Sequence, residues 1–362
     1  MSFSLIDREM MSRALMLAAK GCYTTSPNPT VGCVISVDDQ IVGEGFTRPL
    51  GGNHAEIEAL NQVSDATNSC VYVTLEPCSH QGKTGPCALA LIEAGVSRVV
   101  IACEDPNPLV AGSGIKLLQE AGIEVECGLL EDQAREINKG FIKRHEQGLP
   151  WVLVKMAASL DGRTAMASGQ SQWVTTPASR QDVQRLRAAS CGIITGIGTQ
   201  LMDDPSLTVR ITGEELGVDD PLIQPIRVVV DSQLQMQPSA RMLVQPGVTL
   251  IATLDGDRQR QKAQALIDAG AEVVFLPANG NHVDLKALLT ELAARNCNRV
   301  MVEAGAGLAG AFVAEGLLDE LVCYWAPKLF GSDARPMFDL AINTIDAHLA
   351  LSIKDIRQIG ED

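Results

Sequence analysis
His54-Ala55-Glu56, followed by Glu76-Pro77-Cys78-Ser79-His80-Gln81-Gly82-Lys83-Thr84-Gly85-Pro86-Cys87, decides how the first half of this 362-residue chain is read. Taken singly, these residues have ordinary uses: cysteine as a small core residue, histidine at a surface, glutamate as a solvated helix charge. Taken together, one imidazole (His54) and two thiols (Cys78 and Cys87) are three ligands that suit zinc. A structural zinc is usually closed by four protein ligands, whereas a catalytic one keeps a position for water. Three ligands with the Glu56 carboxylate close by fit the open kind. His54 and Cys87 head predicted helices, where bare N–H groups and the helix dipole favour a thiolate. Cys78 is read as closing a strand, so that sheet and helices converge on one ion.

H-x-E followed by two Pro-Cys pairs is the arrangement of zinc deaminases, in which a His and two Cys hold the metal and a Glu that is not a ligand moves protons. The metal lowers the pKa of water so that hydroxide is available near neutral pH. Glu56 then takes the water's proton and delivers it to a ring nitrogen and to the departing amine, leaving a carbonyl and ammonia. Gly82-Lys83-Thr84 looks like the end of a phosphate-binding P-loop, but Pro77 or Cys78 stands where that loop needs its first glycine. The nucleotide triphosphatase class is excluded with it.

Outward from this motif, Leu5 to Lys20 has helical spacing, and Thr30 to Val37 with Ile41 to Phe46 reads as a hairpin turning at Asp38, Asp39 and Gln40. Helix and strand then alternate: His54 to Val63 before Cys70 to Leu75, Cys87 to Ala94 before Arg98 to Cys103, and Gly114 to Ala121 before Glu124 to Cys127. The charged stretch His145 to Pro150 gives way to the apolar run Trp151 to Val154, which places a domain boundary there, with residues 1–147 on one side and 148–362 on the other. The second half has expected strands at Trp151 to Met156, Gly192 to Thr195, Ile226 to Val230, Val248 to Ala252, Glu272 to Leu276, Arg299 to Val302 and Glu320 to Ala326. Both halves are thus α/β, sheets layered with helices. No internal repeat relates them.

Composition agrees with two folded domains. Lys and Arg total 29 against 44 Asp and Glu, a net charge of −15 that repels phosphate backbones and anionic membranes, so neither nucleic acid nor membrane is an expected partner. Ten cysteines are spread from Cys22 to Cys323 without dense spacing and read as reduced thiols. Asp7, Arg8, Glu9 and Arg13 interrupt the N-terminal apolar residues, so no signal peptide is read there. No run approaches the roughly 18 consecutive apolar residues of a membrane span. A cytoplasmic protein is expected.

Within the second half, Pro150 to Gly213 carries Lys155, Arg163, Arg180, Arg185, Arg187 and Arg210 against Asp161, Asp182, Asp203 and Asp204, a local balance of +2. A basic island in an acidic chain suits an anionic small ligand, because Arg and Lys pair strongly with phosphate. Glu303-Ala304-Gly305-Ala306-Gly307-Leu308-Ala309-Gly310 follows the strand Arg299 to Val302 and opens a helix, where bare N–H groups can meet a phosphate. The turn lies near the end of its domain rather than at the first strand, which argues against a Rossmann domain.

Pro27-Asn28-Pro29-x-Val31-Gly32, the His54 motif, the long loop between Cys78 and Cys87, and Lys155-x-x-x-Ser159-Leu160-Asp161-Gly162-Arg163 occur in the order of the bifunctional riboflavin-biosynthesis deaminase-reductase family, which the whole chain resembles. The resemblance implies a cytidine-deaminase-like zinc domain followed by a dihydrofolate-reductase-like domain. It implies deamination of 2,5-diamino-6-ribosylamino-4(3H)-pyrimidinone 5′-phosphate, then reduction by NADPH of the ribosyl group of 5-amino-6-(5-phosphoribosylamino)uracil to ribityl. By the same resemblance His54, Cys78 and Cys87 are the zinc ligands, Glu56 carries the proton, and Asn28, Lys83 and Asn107 face the pyrimidine and its phosphate. NADPH would meet Ala157, Trp173, Thr199, Asp203 and the turn Gly305, Ala306, Gly307, Leu308, Ala309, Gly310 and Ala311. The reductase substrate would meet Lys155, Ser171, Arg187, Leu207, Arg210 and Glu303, with Lys155 or Glu303 orienting or protonating it. One departure is Thr47, where many relatives carry a His.

Two other readings stay open at this point. A tRNA or nucleoside deaminase with an accessory domain is disfavoured by the −15 charge and the long inter-cysteine loop. A zinc-stabilised binding protein is disfavoured by Glu56, which a structural zinc does not need. The expected partner is a phosphorylated pyrimidine; a homo-oligomer is a further expectation.

Overall fold
The first helix starts where Ser4 and Asp7 cap each other: Asp7 N–H donates to Ser4 Oγ at 3.0 Å and Ser4 N–H to Asp7 Oδ2 at 2.8 Å. Both amides would otherwise be bare. Asp7 also accepts Tyr72 OH at 2.9 Å and Arg98 Nη1 at 2.7 Å. The guanidinium, working against burial, holds the Asp7 carboxyl well below the usual carboxylate range. The helix is thereby pinned to the sheet beneath it. The computed structural model describes residues 3–79, 85–108 and 110–362. They fall into two compact units: residues up to Pro150 with Gly213–Ile223 and Asn296–Asn298, and Trp151–Thr212 with Gln224–Arg295 and Arg299–Asp362.

In the first unit, α1 (Leu5–Lys20), α2 (Ala55–Leu60), α3 (Cys87–Glu93), α4 (Ser113–Glu120), α5 (Glu131–Ile137) and α6 (Lys139–Gln147) accompany five strands. These are β1 (Gly32–Val37), β2 (Gln40–Phe46), β3 (Cys70–Val73), β4 (Arg98–Ile101) and β5 (Glu124–Cys127), in the order β2-β1-β3-β4-β5. β1 is antiparallel to β2 and β3, while β3, β4 and β5 run parallel. Asp38 (φ 48°) and Asp39 (φ 62°) are both left-handed, as a two-residue hairpin turn requires, so Gln40 already belongs to β2. Ile35, Val71, Val99 and Ile101 of the sheet pack with Met11 of α1, Leu91 of α3 and Leu118 of α4 in one core.

Two expectations need correction. The helix expected to reach Val63 ends at Leu60, because the N–H groups of Gln62 and Val63 bond three residues back, to Ala59 and Leu60 carbonyls, tightening the chain into turns. Cys78 does not close a strand: β3 ends at Val73, and Cys78 lies on the loop beyond it. Glu76 N–H still bonds Cys103 O at 2.9 Å, but Pro77 has no N–H to offer a ladder.

The second unit is built on seven parallel strands, β6 (Trp151–Ser159), β8 (Gly192–Gly196), β9 (Ile226–Val230), β10 (Thr249–Leu254), β11 (Glu272–Leu276), β14 (Arg299–Val302) and β15 (Glu320–Ala326). Their order is β11-β10-β9-β8-β14-β6-β15. Short strands β7 (Arg163–Ala165) and β16 (Arg335–Pro336) pair with each other, as do β12 (Ala278–Asn279) and β13 (His282–Val283). Helices α7 (Pro177–Ala188), α8 (Ile197–Asp203), α10 (Asp257–Asp268), α11 (Leu285–Ala294) and α12 (Ala306–Ala314) connect the strands; α9 (Gly213–Leu216) lies in the segment grouped with the first unit. Buried on both faces, the central strands read as apolar runs. Arg227 of β9 is the exception: fully buried, it gives Nε to Thr249 Oγ1 at 3.0 Å, Nη1 to Pro246 O at 2.6 Å and Nη2 to Gly247 O at 2.8 Å. No described helix is long and apolar enough to cross a membrane.

Candidate functional site
Gly45 of β2 lets α2 lie directly on the sheet, since a Cβ there would stand 2.3 Å from Ala55 O. His54 is the N-cap of α2, yet its ring makes no capping bond and turns to sulfur instead. Its Nδ1 lies 3.3 Å from Cys87 Sγ and 3.6 Å from Cys78 Sγ, and the three ligand atoms are all within 4.8 Å of one another. Zn–S bonds of about 2.3 Å and Zn–N bonds of about 2.0 Å at a tetrahedral angle give an N···S edge of about 3.5 Å, so the donor set fits zinc as it stands.

Cys87, first residue of α3, donates its N–H to Cys78 Sγ at 3.3 Å. The Cys87 thiol and this amide, helped by His54 and opposed by burial, hold Cys78 well below the usual thiol range. The same pairing, with burial, pushes Cys87 up, and the Cys78 sulfur raises His54. Glu56, on the first turn of α2, is 3% exposed. Burial and the Cys78 charge push its carboxyl up to about 7, against the pull of His54. A carboxyl placed there can take up a proton and give it back near neutral pH.

Asn28 is half-buried on the loop before β1, its N–H on Thr25 O at 2.9 Å. Asn138 holds that loop by exchanging two hydrogen bonds with the Thr30 backbone, at 2.8 and 2.9 Å. Asn107 is half-buried on the loop after β4, its N–H on Asp105 Oδ1 at 2.8 Å. Lys83 lies outside the described residues. Thr47 is buried, with its N–H on Val31 O at 2.9 Å. Glu76 and Asp105, to which the motif reading assigns nothing, are both buried beside the Cys78 loop.

In the second unit the carboxyl ends of the parallel strands border a cavity of about 1290 Å³, the usual ligand position in such sheets. Val154 of β6 and Val302 of β14 are in register, so the next residues, Lys155 and Glu303, stand abreast with Nζ 3.4 Å from Oε2. Arg187 of α7 meets the same carboxylate with Nε on Oε1 at 2.6 Å and Nη2 on Oε2 at 3.1 Å, and gives Nη1 to Thr208 O at 3.0 Å. Burial would raise the Glu303 pKa, but Arg187 and Lys155 overcome it and bring it to about 2. All six expected substrate residues, Lys155, Ser171, Arg187, Leu207, Arg210 and Glu303, line this one cavity.

Ala157, Trp173, Thr199 and Asp203 line it too, with Gly305, Ala306, Gly307, Leu308 and Ala311. Trp173 is 64% exposed, its ring covered by the Arg180 guanidinium at 4.3 Å, so it is no core residue. Gly305 and Gly307 face open space where a Cβ would stand, leaving the first turn of α12 accessible to a phosphate. Ala309 and Gly310 are different: both are buried and turned from the cavity, and a Cβ on Gly310 would meet Asp339 O at 2.3 Å. That glycine serves packing. Ser232, Gln233, Asn281, His282 and Arg241 also line the cavity and were not anticipated. Ser232 and Gln233 could have been found from their place just after the expected strand Ile226 to Val230.

Residues 5–103 match the family model of the cytidine and deoxycytidylate deaminase zinc-binding region, and residues 150–362 match that of the RibD C-terminal domain. The chain is 47% identical over 363 residues to riboflavin biosynthesis protein RibD of Escherichia coli (strain K12), covering 98% of this chain and 97% of that protein. It is also 47% identical to the RibD of Haemophilus influenzae, covering 100% of this chain and 97% of the relative. Among solved structures, Acinetobacter baumannii RibD superposes with a TM-score of 0.90 at 43% identity, covering 98% of this chain and 96% of that one. A Thermotoga maritima diaminohydroxyphosphoribosylaminopyrimidine deaminase/5-amino-6-(5-phosphoribosylamino)uracil reductase does so with a TM-score of 0.82 at 28% identity, covering 97% and 96%. With a zinc-binding deaminase site in the first unit and a reductase domain that implies a nicotinamide cofactor in the second, the chain belongs to the RibD family of bifunctional deaminase/reductases of riboflavin biosynthesis.

Proposed function
We propose that residues 1–147 deaminate 2,5-diamino-6-ribosylamino-4(3H)-pyrimidinone 5′-phosphate and residues 148–362 reduce the ribosyl group of the product with NADPH, in the cytoplasm. The observation that carries the first reaction is the three-ligand set His54, Cys78 and Cys87 with a buried Glu56 beside it. Zinc held there supplies Lewis acidity, which makes water a competent nucleophile near neutral pH. Glu56 takes one proton from the attacking water and gives it to the ring nitrogen, then moves the remaining hydroxyl proton to the leaving amine, so that water and amine become carbonyl and ammonia. Asn28, Asn107 and Lys83 hold the pyrimidine and its phosphate.

For the second reaction, Ala157, Trp173, Thr199, Asp203 and the first turn of α12 would hold NADPH, which would supply the hydride that reduces C1′ of the opened ribosylamine. Ser171, Leu207 and Arg210 hold the substrate. Glu303, gripped by Arg187, stays a carboxylate. Lys155 Nζ beside it is then the group placed to give a proton to the imine nitrogen as C1′ is reduced. The support is that the candidate substrate residues and most of the candidate cofactor residues share one cavity.

The test is an assay of the purified chain on the diaminopyrimidinone phosphate, with and without NADPH. Ammonia release in both arms, with NADPH consumed only after deamination, is expected. Ammonia without any NADPH oxidation would overturn the reductase assignment.

A further inference from the structure
Glu76 stands two residues before Cys78, and its buried carboxylate is spent on backbone amides. Oε1 accepts the N–H groups of Gly114 at 2.8 Å and Ile115 at 3.1 Å, while Oε2 accepts those of Gly112 at 2.9 Å and Asp105 at 3.2 Å. An ionised carboxyl has about four acceptor positions, so this grip uses its full capacity. Three of the donors belong to the start of α4, where amides lack partners within the helix and the dipole favours negative charge.

The fourth donor leads to the substrate loop. Asp105 accepts Asn107 N–H at 2.8 Å, and Asn107 O accepts the amides of Val110 at 2.8 Å and Ala111 at 3.0 Å. Two further ties join the same segments. Ser79 Oγ and Ser113 Oγ are 2.5 Å apart, and a Cβ on Gly114 would stand 2.0 Å from Pro77 O, so the two backbones touch. The stretch 76–79, which carries Cys78, and residues 105–108 and 110–115, which carry Asn107, form one body with Glu76 as its joint.

We propose that Glu76 is a positioning residue of the deaminase: it sets the loop holding the metal ligand Cys78 at a fixed place relative to the loop holding Asn107. The inference rests on the reading of Asn107 as a substrate contact. Glutamine at 76 keeps one oxygen for two amides but turns an NH2 group towards the other two, so the joint loosens on one side. His54, Cys78 and Cys87 keep their ligand atoms.

Glu76→Gln in the full chain should retain zinc by metal analysis and retain reductase activity. Its deaminase KM should rise about tenfold or more with kcat changed much less, because substrate is held by a displaced loop. A folded, zinc-loaded variant with wild-type KM overturns the proposal, since a merely structural residue would change stability alone. Asn107→Ala is measured beside it, and an unchanged KM there overturns the reading of Asn107 rather than the joint. The joint is tested separately by amide hydrogen exchange on the unmodified protein. Removing zinc with a chelator should lower protection at Asp105, Gly112, Gly114 and Ile115 together with Glu76, Cys78 and Ser79. Unchanged exchange at those four amides overturns the coupling whether or not the Glu76 variant folds.

Discussion
Arg187 and Glu303, on α7 and just past β14, form a two-bond guanidinium–carboxylate pair at the floor of the reductase cavity, with Nε–Oε1 at 2.6 Å and Nη2–Oε2 at 3.1 Å. Breaking one side of a buried pair leaves the other charge unpaired, a cost of about 3–5 kcal/mol. Arg187→Ala should therefore destabilise the second unit by that amount and abolish reduction while sparing ammonia release. All three tryptophans, Trp151, Trp173 and Trp325, lie in that unit, so denaturant unfolding followed by fluorescence reports it alone. A loss below about 1 kcal/mol would show the pair to be energetically idle.

The same pair gives an acid dependence of known sign. The Glu303 pKa is depressed to about 2 from an ordinary value of 4.5, so its contribution is complete above about 4.5 and is lost as pH falls towards 2. The shift corresponds to roughly 3 kcal/mol at most. The stability gap between the parent chain and Glu303→Gln should narrow steadily across that window. A gap independent of pH would mean that Glu303 titrates normally.

Cys87→Ser replaces a thiolate ligand with a neutral hydroxyl, and zinc content should fall well below one per chain. Metal analysis after dialysis checks this, and undiminished zinc would remove Cys87 from the ligand set.

Glu56→Gln should keep zinc and fold but deaminate about 10²- to 10⁴-fold more slowly, since the amide fills the same space and shuttles no protons. Supplied with the already deaminated ribosylamino-uracil phosphate, the variant should still oxidise NADPH. Near-normal ammonia release would sink the role given to Glu56.

Arg210 is exposed in the cavity wall, its backbone fixed by Gln184 Oε1 at 2.9 Å. A lost charge-assisted bond to phosphate costs about 1.5–3 kcal/mol, so Arg210→Ala should raise the reductase KM roughly 10- to 150-fold. Ammonia release should be untouched. Steady-state kinetics of the two half-reactions separate these effects, and equal loss in both would contradict the two-site architecture.

Periodicity located Ile226–Val230 and Arg299–Val302 to the residue, because buried parallel strands are short apolar runs, and it placed the less buried edge strands Glu124–Cys127, Glu272–Leu276 and Glu320–Ala326 equally well. The zinc set was legible because ligand chemistry restricts residue type. Glu76 was not: its function depends on four amides brought to it by folding, and no local pattern marks such a meeting. Gly310 misled for the opposite reason, since a glycine demanded by the Asp339 carbonyl looks in sequence like one demanded by a phosphate. Nor does any pattern show that Gly213–Ile223 groups with the first unit.

The strand order of the reductase sheet bears on how the chain is made. β6 lies between β14 and β15, so the first strand of the unit to leave the ribosome waits for both neighbours until residues 299–326 have followed it. At about 5–20 residues per second that interval is on the order of ten seconds, during which an apolar strand has two bare edges. A holdase would find its target there, and a nascent chain halted before Arg299 would yield an aggregating fragment rather than a smaller reductase.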